Sequence, residues 1–119
     1  MSTLIKEKHF LTDVEQDAVS ECVDKIREAL GENLITIKML GSKARGDFDS
    51  ESDIDLFILV RERTVAVMHV ISGIAAETDL KYDTNLSPVI FSLFEFEKNK
   101  ALETSFVKNL QKDGVPLYG

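Results

Sequence analysis

The chain has 119 residues, 44% of them hydrophobic, a formal charge of -7 and a single cysteine, Cys22. That size and apolar content suit one compact domain, residues 1–119, and exclude a second domain of ordinary size. The acidic balance argues against a nucleic-acid backbone as partner, and the lone cysteine excludes an internal disulfide and a cysteine-based zinc site.

The opening MSTLIKEKHF lacks the apolar core of a leader, and no apolar run reaches spanning length, so a cytoplasmic chain with no membrane segment is expected. Residues 1–11 show no period and read as an N-terminal arm. Thr12-Asp13-Val14-Glu15 has the form of a capping box, in which two side chains satisfy free N–H groups at a helix start. Val14, Ala18, Cys22, Ile26 and Ala29/Leu30 then recur at three- and four-residue steps, predicting an amphipathic helix over 13–30 that stops at Gly31. On that stripe Cys22 reads as a small core residue.

Leu34–Leu40 is rich in β-formers and predicts a first strand. Ile54–Val60 is a nearly continuous apolar run, the pattern of a central strand covered on both faces. The polar connection between them is short for a parallel crossover and carries no long helical pattern, so an antiparallel pair is expected. Thr64–Leu80 repeats Val65, Val67/Met68, Ile71, Ile74/Ala75 and Leu80 at helical spacing. Leu86–Phe94 predicts a third strand, with Pro88 marking an edge or a bulge. Glu95 to Asp113 predicts a last helix or helix pair with Phe96, Leu102, Phe106, Val107 and Leu110 inward, before a short extended tail at 114–119. Phe91, Phe94, Phe96 and Phe106 read as core. The order is that of a small α+β (α/β-like) domain, a mixed sheet flanked by helices over 12–113.

The chemistry concentrates between the first two strands. Asp53 and Asp55 alternate with Ile54, so their carboxylates leave the same face of the strand. Two such acids repel, and Asp is disfavoured in strands, so the placement favours a cation between them; paired Mg²⁺ ions meet that need. The plain alternative is a solvated strand end. Gly41 allows a close backbone approach to a phosphate, Ser42 adds a hydroxyl donor, and Lys43 and Arg45 supply cations. Two rival motifs fail by letter. Asp47-Phe48 stands where a Walker A loop needs Lys-Ser/Thr, and Ser52 and Ile58 replace the Gly and Glu that a calcium loop from Asp47 requires. His9 and His69 have no partner at ligand spacing.

Together, Gly41-Ser42-x-Ala44-Arg45-Gly46 and Ser52-Asp53-Ile54-Asp55-Leu56 resemble the signature of nucleotidyltransferases of the DNA polymerase beta superfamily, most closely the minimal single-domain type. The resemblance implies Mg²⁺-dependent transfer of a nucleoside monophosphate, usually adenylyl from ATP, to a hydroxyl. It assigns the β/γ-phosphates to Gly41 and Ser42, support of the loop or phosphates to Arg45 with Lys43 as a second cation, and two Mg²⁺ to Asp53 and Asp55. It also implies a HEPN-type helical protein partner in a toxin–antitoxin pair, with a tyrosine of that partner as acceptor. Self-association into a homo-oligomer stays open. The family places a third carboxylate on a later strand. Leu86–Phe94 carries none, and Asp83 is the nearest candidate, with Asp79 and Glu95 behind it; Asp83 reads equally as a turn former with Thr84 and Asn85. The alternatives are a catalytically weak or inactive nucleotide-binding or interaction module, and a small-molecule transferase, which generally needs a second domain.

Overall fold

The computed structural model describes residues 11–40 and 53–119. Its first helix, α1 (Asp13–Leu30), opens with the capping box formed in full: Glu15 N–H donates to Thr12 Oγ1 at 3.1 Å and Thr12 N–H to Glu15 Oε1 at 3.0 Å. Gly31 ends it at φ 52°, a backbone conformation that costs glycine nothing. A single 3₁₀ turn (Gly31–Asn33) leads into β1 (Leu34–Leu40), followed by β2 (Ile54–Val60), α2 (Val65–Tyr82) and β3 (Leu86–Ser92). Two short helices, α3 (Leu93–Ala101) and α4 (Ser105–Asp113), precede β4 (Val115–Tyr118).

The strands form one mixed sheet in the order β3-β2-β1-β4. β1 pairs antiparallel with β2 and with β4, and β2 pairs parallel with β3. The expected antiparallel pair is therefore present, and Pro88 sits on an edge strand as its missing N–H requires. The 115–118 segment is a sheet member rather than a loose end, burying Val115 and Leu117.

Alternation along β2 sorts its side chains into two layers. Ile54, Leu56, Ile58 and Val60 join the larger core with Val19, Cys22, Val23 and Ile26 of α1 and Ile71 and Ala75 of α2. Phe57 and Leu59 point the other way, into a smaller cluster with Leu110, Phe91, Phe96 and Phe106. Phe57 is the centre of that layer: Phe91 lies edge-on at 5.6 Å, with Phe106 at 5.7 Å and Phe96 at 5.8 Å between ring centroids. The fold is thus α+β, with helices on both faces of a mixed sheet. Burial pushes the Cys22 thiol up to about 11, as befits a core residue rather than a nucleophile.

Several inward assignments need correction. The third strand ends at Ser92, whose side chain caps α3, so Phe94 falls on the outer face of a helix and is 76% exposed. Leu102 is the C-cap of α3 and is 69% exposed. Val14, Val65 and Leu80 are exposed as well, and Ala29 is too, because the buried stripe of α1 is centred on Val19, Cys22, Val23 and Ile26 and that of α2 on Ile71, Ala75 and Thr78.

Replacing Phe57 with Ala empties the centre of an aromatic cluster with little room to collapse. It is expected to lower stability by about 3–5 kcal/mol, seen as a lower urea midpoint with an unchanged slope.

Candidate functional site

Asp53 and Asp55 stand at the head of β2, on the face that Phe57 and Leu59 occupy further along. α3 and α4 pack over that further part; Asp53 is exposed and Asp55 half-buried. Register supplies the neighbours. Across the antiparallel pair Asp55 faces Leu40, the last residue of β1, and across the parallel pair it faces Ser87 of β3. The carboxylate pair therefore lies where β1 ends and β2 and β3 begin. Gly41-Ser42 follow Leu40 directly in sequence.

The turn joining α2 to β3 completes this end of the sheet. Asn85 accepts a hydrogen bond from Ile54 N–H at 2.9 Å through its carbonyl, while its side-chain amide donates to Asp53 Oδ1. One residue thus fixes the backbone beside Asp53 and orients its carboxylate. Asp79 holds the turn itself. Its Oδ1 accepts from Leu86 N–H and from the Thr84 hydroxyl, both at 2.9 Å, and its carbonyl accepts from Asp83 N–H. Asp83 is the C-cap of α2, exposed, at φ 53° and ψ 48°, a left-handed conformation that Asp tolerates better than most residues. The end of α2 is tied in turn to α1, since Glu21 Oε1 accepts from Lys81 Nζ at 2.7 Å and from the Tyr82 hydroxyl at 3.2 Å. The hydrogen bond from Lys81 is the main reason that the Glu21 carboxyl is held below its ordinary range, with burial opposing it.

The structure separates the weaker acids from the site. Asp79 is committed to the turn. Glu95 lies beyond Ser92, at the opposite end of β3, about 20 Å along the strand from Leu86 at the rise of an extended chain. There it receives Arg63 Nε and Nη2 at 2.7 Å each and closes the capping box with Ser92, so that the Arg63 guanidinium first and Ser92 second hold its carboxyl down at about 2. His69 is exposed on α2. Gly41, Ser42, Lys43 and Arg45 lie outside the described residues, as does His9. Among the described residues no group of three or more His, Cys, Asp and Glu side chains is placed to share a metal ion.

The donors at the strand head are nonetheless of the right kind for Mg²⁺, which prefers carboxylate oxygens and keeps several other ligands for water and phosphate. A groove of about 1130 Å³ at the far end of the sheet is lined by Asp24, Arg27, Glu28, Glu32, Arg61 and Tyr118 among others. Its cations are engaged: Arg61 Nε donates to the Glu32 carbonyl at 3.0 Å, and Arg27 stacks over the Tyr118 ring at 4.6 Å. Asn85 is the contact that local sequence does not reveal. Only the position of a turn residue just before an edge strand hints at it.

The sequence profile of a family described as a nucleotidyltransferase domain matches residues 23–115, from within α1 to the start of β4. Two proteins of Methanocaldococcus jannaschii, each named "putative protein adenylyltransferase", are similar to the chain. One is 36% identical over 100 residues, covering 83% of this chain and 94% of its relative. The other is 32% identical over 104 residues, covering 87% and 98%. Among solved structures, a "putative nucleotidyltransferase" from Sulfolobus solfataricus shares the fold with a TM-score of 0.56 at 22% identity, over 86% of this chain and 78% of that one.

Two outcomes follow from these contacts. Asp79→Ala leaves the Leu86 N–H and the Thr84 hydroxyl without their acceptor and is expected to cost about 1–3 kcal/mol in chemical denaturation, with faster amide exchange at Leu86. Glu95→Gln tests the far anchor by pH. A carboxyl depressed from 4.5 to about 2 stabilises the fold at pH values above its unfolded range, and that contribution disappears as pH falls from 4.5 through 2. Wild type should therefore exceed the variant by a constant margin above about pH 5, and the two denaturation midpoints should converge near pH 2.

Proposed function

We propose that this chain, which belongs to the nucleotidyltransferase-domain family and is an enzyme of that type, transfers an adenylyl group from ATP to a hydroxyl on a partner protein. The observation that carries this reading is the same-face pair Asp53 and Asp55 at the head of β2, with Asp55 paired to the residue that immediately precedes Gly41-Ser42. A strand end with two oriented carboxylates beside a Gly-Ser sequence has the parts that a triphosphate needs. Both relatives from Methanocaldococcus jannaschii bear names that include protein adenylyltransferase, which supports adenylyl as the group and protein as the acceptor.

In this assignment Asp53 and Asp55 hold two Mg²⁺ ions. When bound, the ions neutralise the triphosphate and favour the ionised acceptor hydroxyl. The protein's own contribution is placement. Asn85 keeps Asp53 turned to the open face, and the β1–β2 pairing keeps Asp55 at the end of β1. Gly41 and Ser42 are assigned to the β- and γ-phosphates through backbone N–H groups and the Ser42 hydroxyl, with Arg45 and Lys43 as the cations of the loop. Asp83 is assigned as a third acid, borne by the turn that also presents Asn85. The acceptor oxygen attacks the α-phosphorus, the bond to the bridging oxygen breaks, and pyrophosphate leaves with the electron pair; the hydroxyl proton passes to solvent or a nearby carboxylate.

The partner is assigned by resemblance as a helical HEPN-type toxin with a tyrosine acceptor, which makes this chain the antitoxin. A second reading is a nucleotide-binding interaction module with weak chemistry. The observation in its favour is that β3 presents Ser87, not an acid, beside Asp55.

Calorimetric titration with a non-hydrolysable ATP analogue and Mg²⁺ tests the site. Wild type should bind, and Asp53→Asn combined with Asp55→Asn should weaken binding and cut transfer of α-labelled adenylate to the partner at least about 100-fold, with an unchanged circular dichroism spectrum. Equal binding and transfer in the double variant would sink the assignment. Asp83→Asn should lower transfer with little effect on thermal stability, because the left-handed cap suits Asn as well.

A further inference from the structure

We propose that the outer face of α2 is a self-association surface, on which two copies of this chain pack antiparallel about Gly73. The inference stands apart from the nucleotidyltransferase reading and adds to it a second copy of the chain as partner.

α1 and α2 pack into the same core layer yet present different outer surfaces. The exposed positions of α1 include Asp13, Asp17, Lys25 and Glu28, an ordinary charged face. Those of α2 recur at 66, 69/70, 73, 76/77 and 80, one face of the helix, and most are apolar or small. Leu80 is 88% exposed and Val70 40%. A helix that is apolar on both faces is built to be covered on both, and the core takes up only the face of Ile71 and Ala75.

Gly73 supplies an independent observation. A glycine inside a helix costs about 1 kcal/mol relative to alanine. A Cβ added to Gly73 would meet nothing within 4 Å, so packing inside the chain does not require its missing side chain. Close approach of a helix from outside does.

The residues around Gly73 match this face to itself. A two-fold axis at Gly73 with antiparallel helices brings residues equally spaced before and after it level with each other. Ala66 then meets Leu80 and Val70 meets Ala76, so each small residue receives a larger one. His69, an N–H donor, meets the Glu77 carboxylate, twice by symmetry. Among the described residues neither His69 nor Glu77 has a hydrogen-bond or ion-pair partner. A parallel pair would instead set Glu77 against Glu77. Ala66, Gly73 and Leu80 are seven residues apart and fall within about 20° of one line, so the contacts stay in phase along the helix. α2 lies on the sheet face opposite Asp53 and Asp55, and the dimer leaves both carboxylate pairs uncovered.

Sedimentation velocity of the full chain, without metal or nucleotide, over roughly 1–300 µM tests the surface. One helix crossing is a small interface, so wild type should pass from monomer to dimer with a Kd on the order of 10 µM. Gly73→Arg should weaken the dimer at least about tenfold. The dilute variant should melt no lower than wild type, because the site is open and Arg is the better helix former. His69→Glu, which sets like charges against Glu77, should weaken it about tenfold, and His69→Glu combined with Glu77→Lys should restore it. Circular dichroism establishes that each variant is folded; if Gly73→Arg is not, the charge-reversal pair decides. A wild type that stays monomeric throughout would overturn the proposal and leave the face to another occupant. A dimer indifferent to Gly73→Arg, or one that the double reversal fails to restore, would overturn it as well. None of these outcomes bears on nucleotide binding at the other face.

Discussion

The constraint on which the structure depends is the double pairing of β2. Antiparallel to β1 on one side and parallel to β3 on the other, this strand is locked in register by two neighbours at once. Period-two alternation then does the sorting. Ile54, Leu56, Ile58 and Val60 enter the layer under α1 and α2, while Asp53, Asp55, Phe57 and Leu59 take the opposite face. A slip of one residue would drive both carboxylates into the α1–α2 core and take four apolar side chains out of it. Burying a carboxylate without a partner costs several kcal/mol more. The hydrophobic pattern that makes the core thus also determines which way the site faces.

Polar contacts then transmit that register to the side chains of the site. The order runs from α1 through Glu21 to Lys81 and Tyr82, along the last turn of α2 to Asp79, from Asp79 to Leu86 N–H, and from Asn85 to Asp53. Few of these groups are deeply buried, and exposed ion pairs such as Lys81–Glu21 contribute little alone. Their use is geometric. The turn carrying Asn85 is pinned at Asp79, and Asn85 spends its carbonyl on Ile54 and its amide on Asp53. Rigidity in the turn becomes orientation of a carboxylate.

Much of this was readable from local sequence, and the physical reason is that local patterns specify elements while packing specifies phase. Both strand spans, 34–40 and 54–60, coincide with the observed ones because the first is a β-rich run between Asn33 and Gly41 and the second a nearly continuous apolar run between charged residues. The Asp53–Asp55 pair was readable for the same reason, since alternation within one strand is a local property. The assignment of Phe94 failed because Ser92 and Glu95 form a capping box inside an apolar run, LFEF, that also fits a strand. Val14 and Leu80 failed because an amphipathic period marks a broad face, and its buried centre is chosen by the opposing helix and sheet. The contact of Asn85 with Asp53 was beyond reach, since it comes from pairing β3 with a strand some 30 residues earlier, which no window on the sequence contains. Gly41, Ser42, Lys43 and Arg45 lie outside the described residues, so for them the motif alone speaks.

The two ends of the sheet are built for different purposes. At the far end, beside Val60 and Ser92, charged and polar groups are paired with each other: Arg63 with Glu95, Asn33 with the Glu62 backbone in both directions, and Arg61 with the Glu32 carbonyl. These contacts staple loops and satisfy backbone groups that strand ends would otherwise leave open. At the near end two carboxylates share one face of β2, with Ser87 of β3 level with Asp55 and the Asn85 amide of the preceding turn on Asp53. The core fixes the strand firmly enough to hold the pair there, and Asn85 orients the outer carboxylate. The register of β2 thus sets the neighbours of both ends at once.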